Sequence, residues 1–409
     1  MTNTRYQLLL VWGSAIAGAA IAFVTQAYIG RAFLPQDFGE FNFALVLATL
    51  VATFAFQGVG DITLRKRGDF PLQQLILSVF VLSLIGITTA ALVLMFIPKD
   101  RTDPSLIAAC VPYAIAQGGM FIGMAYWQLR DHPLGISLWP LSQQVVKFIC
   151  VVPIISLAYP ISTVPLVWAA ALSLLAIYAL SKLRLSIASA RHTDQPRSST
   201  PNLISAALPF SISRTLEYAD IQLPVILAMG LIGSTASGFA AASLIFIQGV
   251  LLLPISIFQR LYRGRFHDWA VSNPMKLKHV TRIGTTWMFF IGLTLSISIY
   301  LTSQYLLTMV FGDQFSDAHT FLAVISLALP MWFAAIPLNA ALVSKPHAKV
   351  RVYLQLTSIA IVALGSVLLV PTKGLPGIGW AVCMSQFVLV VGAALTLYAH
   401  RQAVHSKAS

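Results

Sequence analysis

FNFALVLATLVATFAFQGVG (residues 41–60), a gap holding Arg65, Lys66 and Arg67, and then LQQLILSVFVLSLIGITTAALVLMFI (72–97) decide the fold of this chain. Each apolar run reaches the ~20 residues that a helix needs to cross a bilayer, and the cations between them mark one side of it. Working outward, ten further runs of this kind follow the same rule: 8–29, 106–128, 134–157, 164–181, 203–231, 237–258, 284–310, 321–343, 352–370 and 378–399. Of the 26 Lys and Arg residues, 20 fall at the N-terminus or in every second gap, while the intervening gaps hold only Arg31, Lys99, Arg101 and Lys373. By the positive-inside rule that split places both termini in the cytoplasm, and an odd number of spans would destroy the alternation.

Composition agrees. With 57% hydrophobic and 10% charged residues and a mean hydropathy of +0.81, the chain is built to dissolve in lipid, not to fold around a water-excluded core. The net charge of +13 follows from topology and from anionic lipid at the cytoplasmic face, so nucleic acid is not an expected partner. Cys110, Cys150 and Cys383 all lie inside apolar runs, which points to packing and not to disulfides or zinc. No GxSxG, HExxH or P-loop lysine occurs and the eight His residues have no metal-site spacing, so neither enzyme chemistry nor a cofactor is expected.

The expected fold class is therefore an all-α integral membrane protein of about twelve helices in two six-helix lobes. The lobes are expected at 1–183 and 201–400, with a cytoplasmic linker at 184–200, rich in Arg, Pro and Ser, and a tail at 401–409. The halves echo each other. Pro35-Gln36-Asp37-Phe38-Gly39-Glu40-Phe41 enters span two much as Ser234-Thr235-Ala236-Ser237-Gly238-Phe239 enters span eight. Val164-Pro165-Leu166-Val167-Trp168-Ala169 opens span six much as Pro376-Gly377-Ile378-Gly379-Trp380-Ala381 opens span twelve. With six spans per half the two copies run in the same direction, the parallel repeat of a transporter whose substrate site lies between halves near the midplane.

Four ionisable residues stand inside spans: Lys147 in span five, and Arg214, Glu217 and Asp220 in span seven. At ~2.5–3.5 kcal/mol for each charge at the membrane centre, they should face a bundle interior or a wet cavity. Lys147 and Arg214 each lie about a dozen residues in from the cytoplasmic end, roughly 20 Å deep, which suits an anion cradle. Ser211, Arg214, Glu217 and Asp220 form a polar stripe bracketed by Pro209 and Pro224, so a kink or unwound segment is expected there. Two readings stay open, a functional cavity or the structural pairing of Arg214 with Glu217. Lys147 likewise needs a counter-charge, from Glu217, Asp220 or a substrate anion. Arg31 reads as a snorkelling residue or a ligand contact. Gln57, Gln117 and Gln386 read as a sugar-lined path or as interhelical glue, and Phe38, Trp127, Trp139, Trp168, Trp332 and Trp380 as interfacial or packing residues.

Several local patterns occur in order along the chain: Val24-Thr25-Gln26 and Arg31, Leu34-Pro35-Gln36-Asp37-Phe38-Gly39, Gly58-Val59-Gly60-Asp61 and Leu64-Arg65, Leu208-Pro209-Phe210, Gly238-Phe239-Ala240 and Phe311-Gly312-Asp313-Gln314-Phe315. Together they resemble the polysaccharide transport proteins, the O-antigen or lipid-linked oligosaccharide flippases of the multidrug/oligosaccharidyl-lipid/polysaccharide exporter superfamily. The resemblance implies a two-lobed flippase, multi-pass in the bacterial inner membrane, that moves undecaprenyl-diphosphate-linked oligosaccharide repeat units from the cytoplasmic to the periplasmic leaflet in O-antigen or exopolysaccharide biosynthesis. Its expected partners are that substrate, membrane lipid and other glycan assembly proteins. On this reading Lys147, Arg214 and Arg31 bind the substrate anion, and Glu217 and Asp220 carry an ion-coupled step. The alternatives are a major-facilitator-type small-molecule transporter and a membrane-embedded glycan polymerase or ligase. Outer gaps of only about ten residues disfavour the enzyme.

Overall fold

A computed structural model describes residues 2–65, 72–98, 101–130, 132–189, 200–256, 274–342 and 348–405, and among them every extended element is a helix. Contacts divide the chain into two compact units, Met1–Ala219 and Asp220–Ser409. The division falls inside a continuous helix. Of the linker expected at 184–200, residues 190–199 lie outside the described residues, and 184–189 and Thr200 belong to the helices on either side.

The first unit contains α1 (Thr2–Ala32), α2 (Pro35–Ala52) continued through a π turn (Thr53–Gln57) into α3 (Gly58–Arg65), then α4 (Leu72–Met95), α5 (Pro104–Leu129), α6 (Pro133–Ser156), α7 (Thr163–Ser189) and most of α8 (Thr200–Leu231). Helix starts follow local chemistry. Proline stands in the first turn of α2, α5 and α6, where its missing N–H costs nothing. Asp103 caps α5 by accepting from the Ser105 N–H at 2.8 Å, and His132 Nδ1 caps α6 by accepting from the Gly135 N–H at 3.0 Å. The tightest packing joins α5 to α7 and α1 to α6. Small residues permit the first: a Cβ at Gly119 of α5 would overlap Ala176 of α7.

The second unit holds the end of α8 and then α9 (Ser234–Ser256), α10 (Pro274–Phe311), α11 (His319–Ser326), α12 (Leu329–Leu342), α13 (Ala348–Lys373) and α14 (Leu375–His405). Gly312, at φ 92°, turns the chain from α10 into a short 3-10 helix, Asp313–Ala318, a backbone angle that side chains resist. The turn gathers Phe311 and Phe315 (ring centroids 5.3 Å apart) against Phe246 and Phe239, so two of the quoted sequence patterns meet in one aromatic cluster.

Among the described residues ten helices are long and apolar enough to cross a membrane. An eleventh span is a pair bent by 47°, Asp313–Ser326 with Leu329–Leu342. The twelfth run is α8, whose 32 residues give about 48 Å of helix but include Arg214, Glu217 and Asp220. The count expected from hydropathy is thus recovered only if one span is bent and one is charged. Of the kink or unwound segment expected in span seven, the unwound segment is not found. Despite Pro209 and Pro224, α8 is helical without interruption from Thr200 to Leu231. The irregular backbone lies instead at the π turn 53–57 and at the 327–328 break. Hydroxyls on exposed helix faces turn inward to their own backbone: Thr88 and Thr89 on α4, and Thr294 and Ser298 on α10, donate to carbonyls four residues back at 2.8–3.0 Å. This is how a polar side chain is tolerated in lipid.

Candidate functional site

Polar side chains inside the spans gather in three clusters. The first surrounds Lys147 at mid-depth of α6, about 21 Å from the helix start at Pro133. Its ammonium donates to Tyr113 Oη at 2.8 Å and to Gln117 Oε1 at 3.3 Å, both on α5. Gln143 Nε2, one turn earlier on α6, shares the same Gln117 oxygen at 2.7 Å. The rings of Tyr113 and Trp168 stand 5.0 and 5.1 Å from Nζ, and the Trp168 indole N–H donates to the Lys147 carbonyl at 2.9 Å. Lys147, Gln117, Tyr113 and Trp168 are all buried. Ring faces and lone pairs soften the desolvation of a cation, but they carry no compensating charge. Among the described residues no carboxylate lies within ion-pair distance of Nζ, so the counter-charge expected from Glu217 or Asp220 is not supplied by either.

The second cluster is ionic. Arg214 Nε donates to Asp61 Oδ2 at 2.8 Å and Nη2 reaches Asp61 Oδ1 at 3.5 Å, a forked pair between α8 and α3. Glu217 Oε2 sits 3.5 Å from Nη1. Helix α3 approaches α8 so closely that a Cβ at Gly58 would overlap Ser211. The pair is incompletely enclosed, with 35% of the Arg214 side chain and 23% of the Asp61 side chain accessible. Arg214 therefore neutralises partly through Glu217, as the i,i+3 spacing suggested, but more closely through a residue 153 positions away. Tyr218, beside Glu217, and Tyr113 of the first cluster both hydrogen-bond Thr49 of α2.

The third cluster belongs to the second unit. Asp220 Oδ1 accepts from Ser358 Oγ at 2.7 Å, Ser358 and Ser385 share a hydrogen bond at 2.6 Å, and Gln386 Nε2 lies 3.5 Å from Asp220 Oδ2. Ser358, Ser385 and Gln386 are buried. Asp220 is thus held as a carboxylate that accepts from one hydroxyl and one amide N–H, a group able to take up a proton or a small hard cation in exchange for those contacts. Among the described residues no group of three or more His, Cys, Asp or Glu side chains could hold a metal ion.

The predicted residues are thus distributed. Arg214 and Glu217 meet, Lys147 has its own nest, Asp220 turns to Ser358, and Arg31 is exposed in the last turn of α1. Gln117 and Gln386, ambiguous in the sequence, serve Lys147 and Asp220. Phe38, Trp139 and Trp168 are buried packing residues. Sequence reasoning missed Tyr113, Asp61, Tyr218, Ser358 and Ser385. Of these only Asp61, an acid at the end of an apolar run, carried a visible signal.

No protein-family model matches the chain, and no curated protein matches it in sequence. Its fold does match solved structures. A lipid II flippase, MurJ, in an inward closed conformation, is 12% identical with a TM-score of 0.68, over 96% of this chain and 87% of that one. A MATE multidrug transporter, DinF-BH, is 13% identical with a TM-score of 0.67, over 97% and 96%. A MATE transporter from Vibrio cholerae is 13% identical with a TM-score of 0.56, over 99% and 98%. The chain thus shares the fold of MurJ and of these MATE transporters. At these identities the likeness defines architecture alone, and a major-facilitator architecture is set aside.

Proposed function

We propose that this protein is a flippase that carries undecaprenyl-diphosphate-linked oligosaccharide repeat units from the cytoplasmic to the periplasmic leaflet of a bacterial inner membrane. It works by alternating access with an ion gradient as the energy source, its basic gaps facing the cytoplasm, and it catalyses no covalent chemistry. In this reading Lys147, Arg214 and Arg31 attract the diphosphate or anionic sugars, and Asp220 with Glu217 forms the ion-linked pair.

The observation that carries the reading is Lys147, a cation held deep in a span by neutral lone pairs and ring faces alone. Such a group leaves its charge to be matched by something that arrives, and an anionic headgroup at that depth would match it. The separate Asp220 cluster offers oxygen ligands to a cation, whose occupancy biases one arrangement over another. Fold analogy with a lipid II flippase supports the lipid-linked class of cargo without fixing its sugars.

The test is leaflet transfer of an undecaprenyl-diphosphate-linked oligosaccharide in proteoliposomes. Transfer above the protein-free rate is expected for the wild type and near-complete loss for Lys147→Met, with Lys147→Arg intermediate. Wild-type transfer by Lys147→Met would remove Lys147 from the site.

A further inference from the structure

A recess of about 630 Å³ opens on the first unit between α2–α3, α4 and α5, and it belongs to none of the three polar clusters. Among the described residues no charged side chain lines it. Its wall on α4 runs from Leu75 to Leu94, 19 rises of ~1.5 Å or about 28 Å, close to the full hydrocarbon thickness of ~30 Å. A phospholipid acyl chain belongs to one leaflet and ends near half that depth. A groove of this length fits a longer chain.

Its rim is open where Phe80 and Ile87 of α4 and Ile115 of α5 are more than half exposed, so a chain can enter sideways from the bilayer. One end is closed by Thr63, Tyr126 and Leu129, and there Arg130 stacks its guanidinium over the Tyr126 ring at 5.3 Å. This is the basic side of the membrane. The decisive feature is α3. Val59, Gly60 and Thr63 line the groove, while Asp61 of the same two-turn helix grips Arg214. The groove and the Arg214 cluster thus share one short helix, α3, which presents a different face to each.

Building on the flippase reading, we propose that this groove holds the polyprenyl chain of the lipid-linked substrate while its diphosphate engages Arg214. Bulk membrane lipid, which shares an apolar tail, is the competing occupant. The groove selects against it by length.

The experiment uses the full-length protein in vesicles of phosphatidylethanolamine and phosphatidylglycerol. The probe is undecaprenyl diphosphate carrying a photoreactive group on its chain, with labelled peptides mapped by mass spectrometry. Labelling is expected on α3, α4 and α5, displaced by unlabelled undecaprenyl diphosphate but not by added phosphatidylglycerol. Ala91→Trp and Ser83→Trp, which fill the groove from α4, should each cut labelling roughly 10-fold. Equal displacement by phosphatidylglycerol, or labels mapping elsewhere on the wild type, overturns the proposal without reliance on any variant folding. Leaflet transfer measured in the same vesicles separates the two ideas. Groove labelling without transfer sinks the flippase reading and leaves the groove, whereas transfer without groove labelling sinks the groove.

Discussion

Trp168 and Trp380 stand at matching places in two similar stretches of sequence, yet the two units use them differently. Trp168 is buried at 2% exposure, packs on Phe41 and closes over Lys147. Trp380 is 38% exposed and takes Lys373, at the end of the preceding helix, over its ring at 5.3 Å. The polar clusters differ in the same way. The first unit embeds a cation among neutral acceptors, and the second embeds a carboxylate among hydroxyl and amide groups. On the proposed reading, the Lys147 cluster takes the anionic cargo and the Asp220 cluster takes the coupling cation.

The largest expected effect lies in the ionic cluster. Arg214→Ala should abolish glycan export in a complementation assay while membrane insertion persists, a loss of ~10²-fold or more, because it strands Asp61 and removes the proposed headgroup contact. The charge swap Asp61→Arg with Arg214→Asp sharpens this. It should restore protein yield but not export, whereas restored export would make the pair purely structural. Next comes packing. Trp168→Leu should cost ~3 kcal/mol of stability against ~0.5 kcal/mol or less for Trp380→Leu, measured as thermal unfolding in detergent. Equal shifts would erase the distinction between the two sites. The smallest effect is expected at the third cluster. Ser385→Ala removes one hydrogen bond to Ser358 and should weaken cation dependence by ~5-fold, about 1 kcal/mol, with substrate half-saturation moving less.

Much of the architecture is legible in the sequence. Hydropathy marks runs of sufficient length, and cations fix their alternation, because lipid penalises charge everywhere except at the ends. The same penalty makes Lys147, Arg214, Glu217 and Asp220 conspicuous. Their partners are not conspicuous, for a physical reason. Asp61 meets Arg214 across 153 residues, and Ser358 meets Asp220 across 138, so nothing local links them. Serine and tyrosine are also common in spans, where hydroxyls are satisfied by their own backbone and leave no trace in composition. Pro209 and Pro224 do not unwind α8, because neighbouring packing can keep a proline-containing helix continuous. The π turn before Gly58 has no sequence signature, yet it leads directly into the helix that presents Asp61.

The most direct test of this division between the units is accumulation, not mere exchange, of the lipid-linked oligosaccharide in one leaflet of proteoliposomes under an imposed proton or sodium gradient. The account predicts that the wild type accumulates substrate against its own gradient and that Asp220→Asn only equilibrates it. Accumulation by Asp220→Asn at the wild-type level would contradict it.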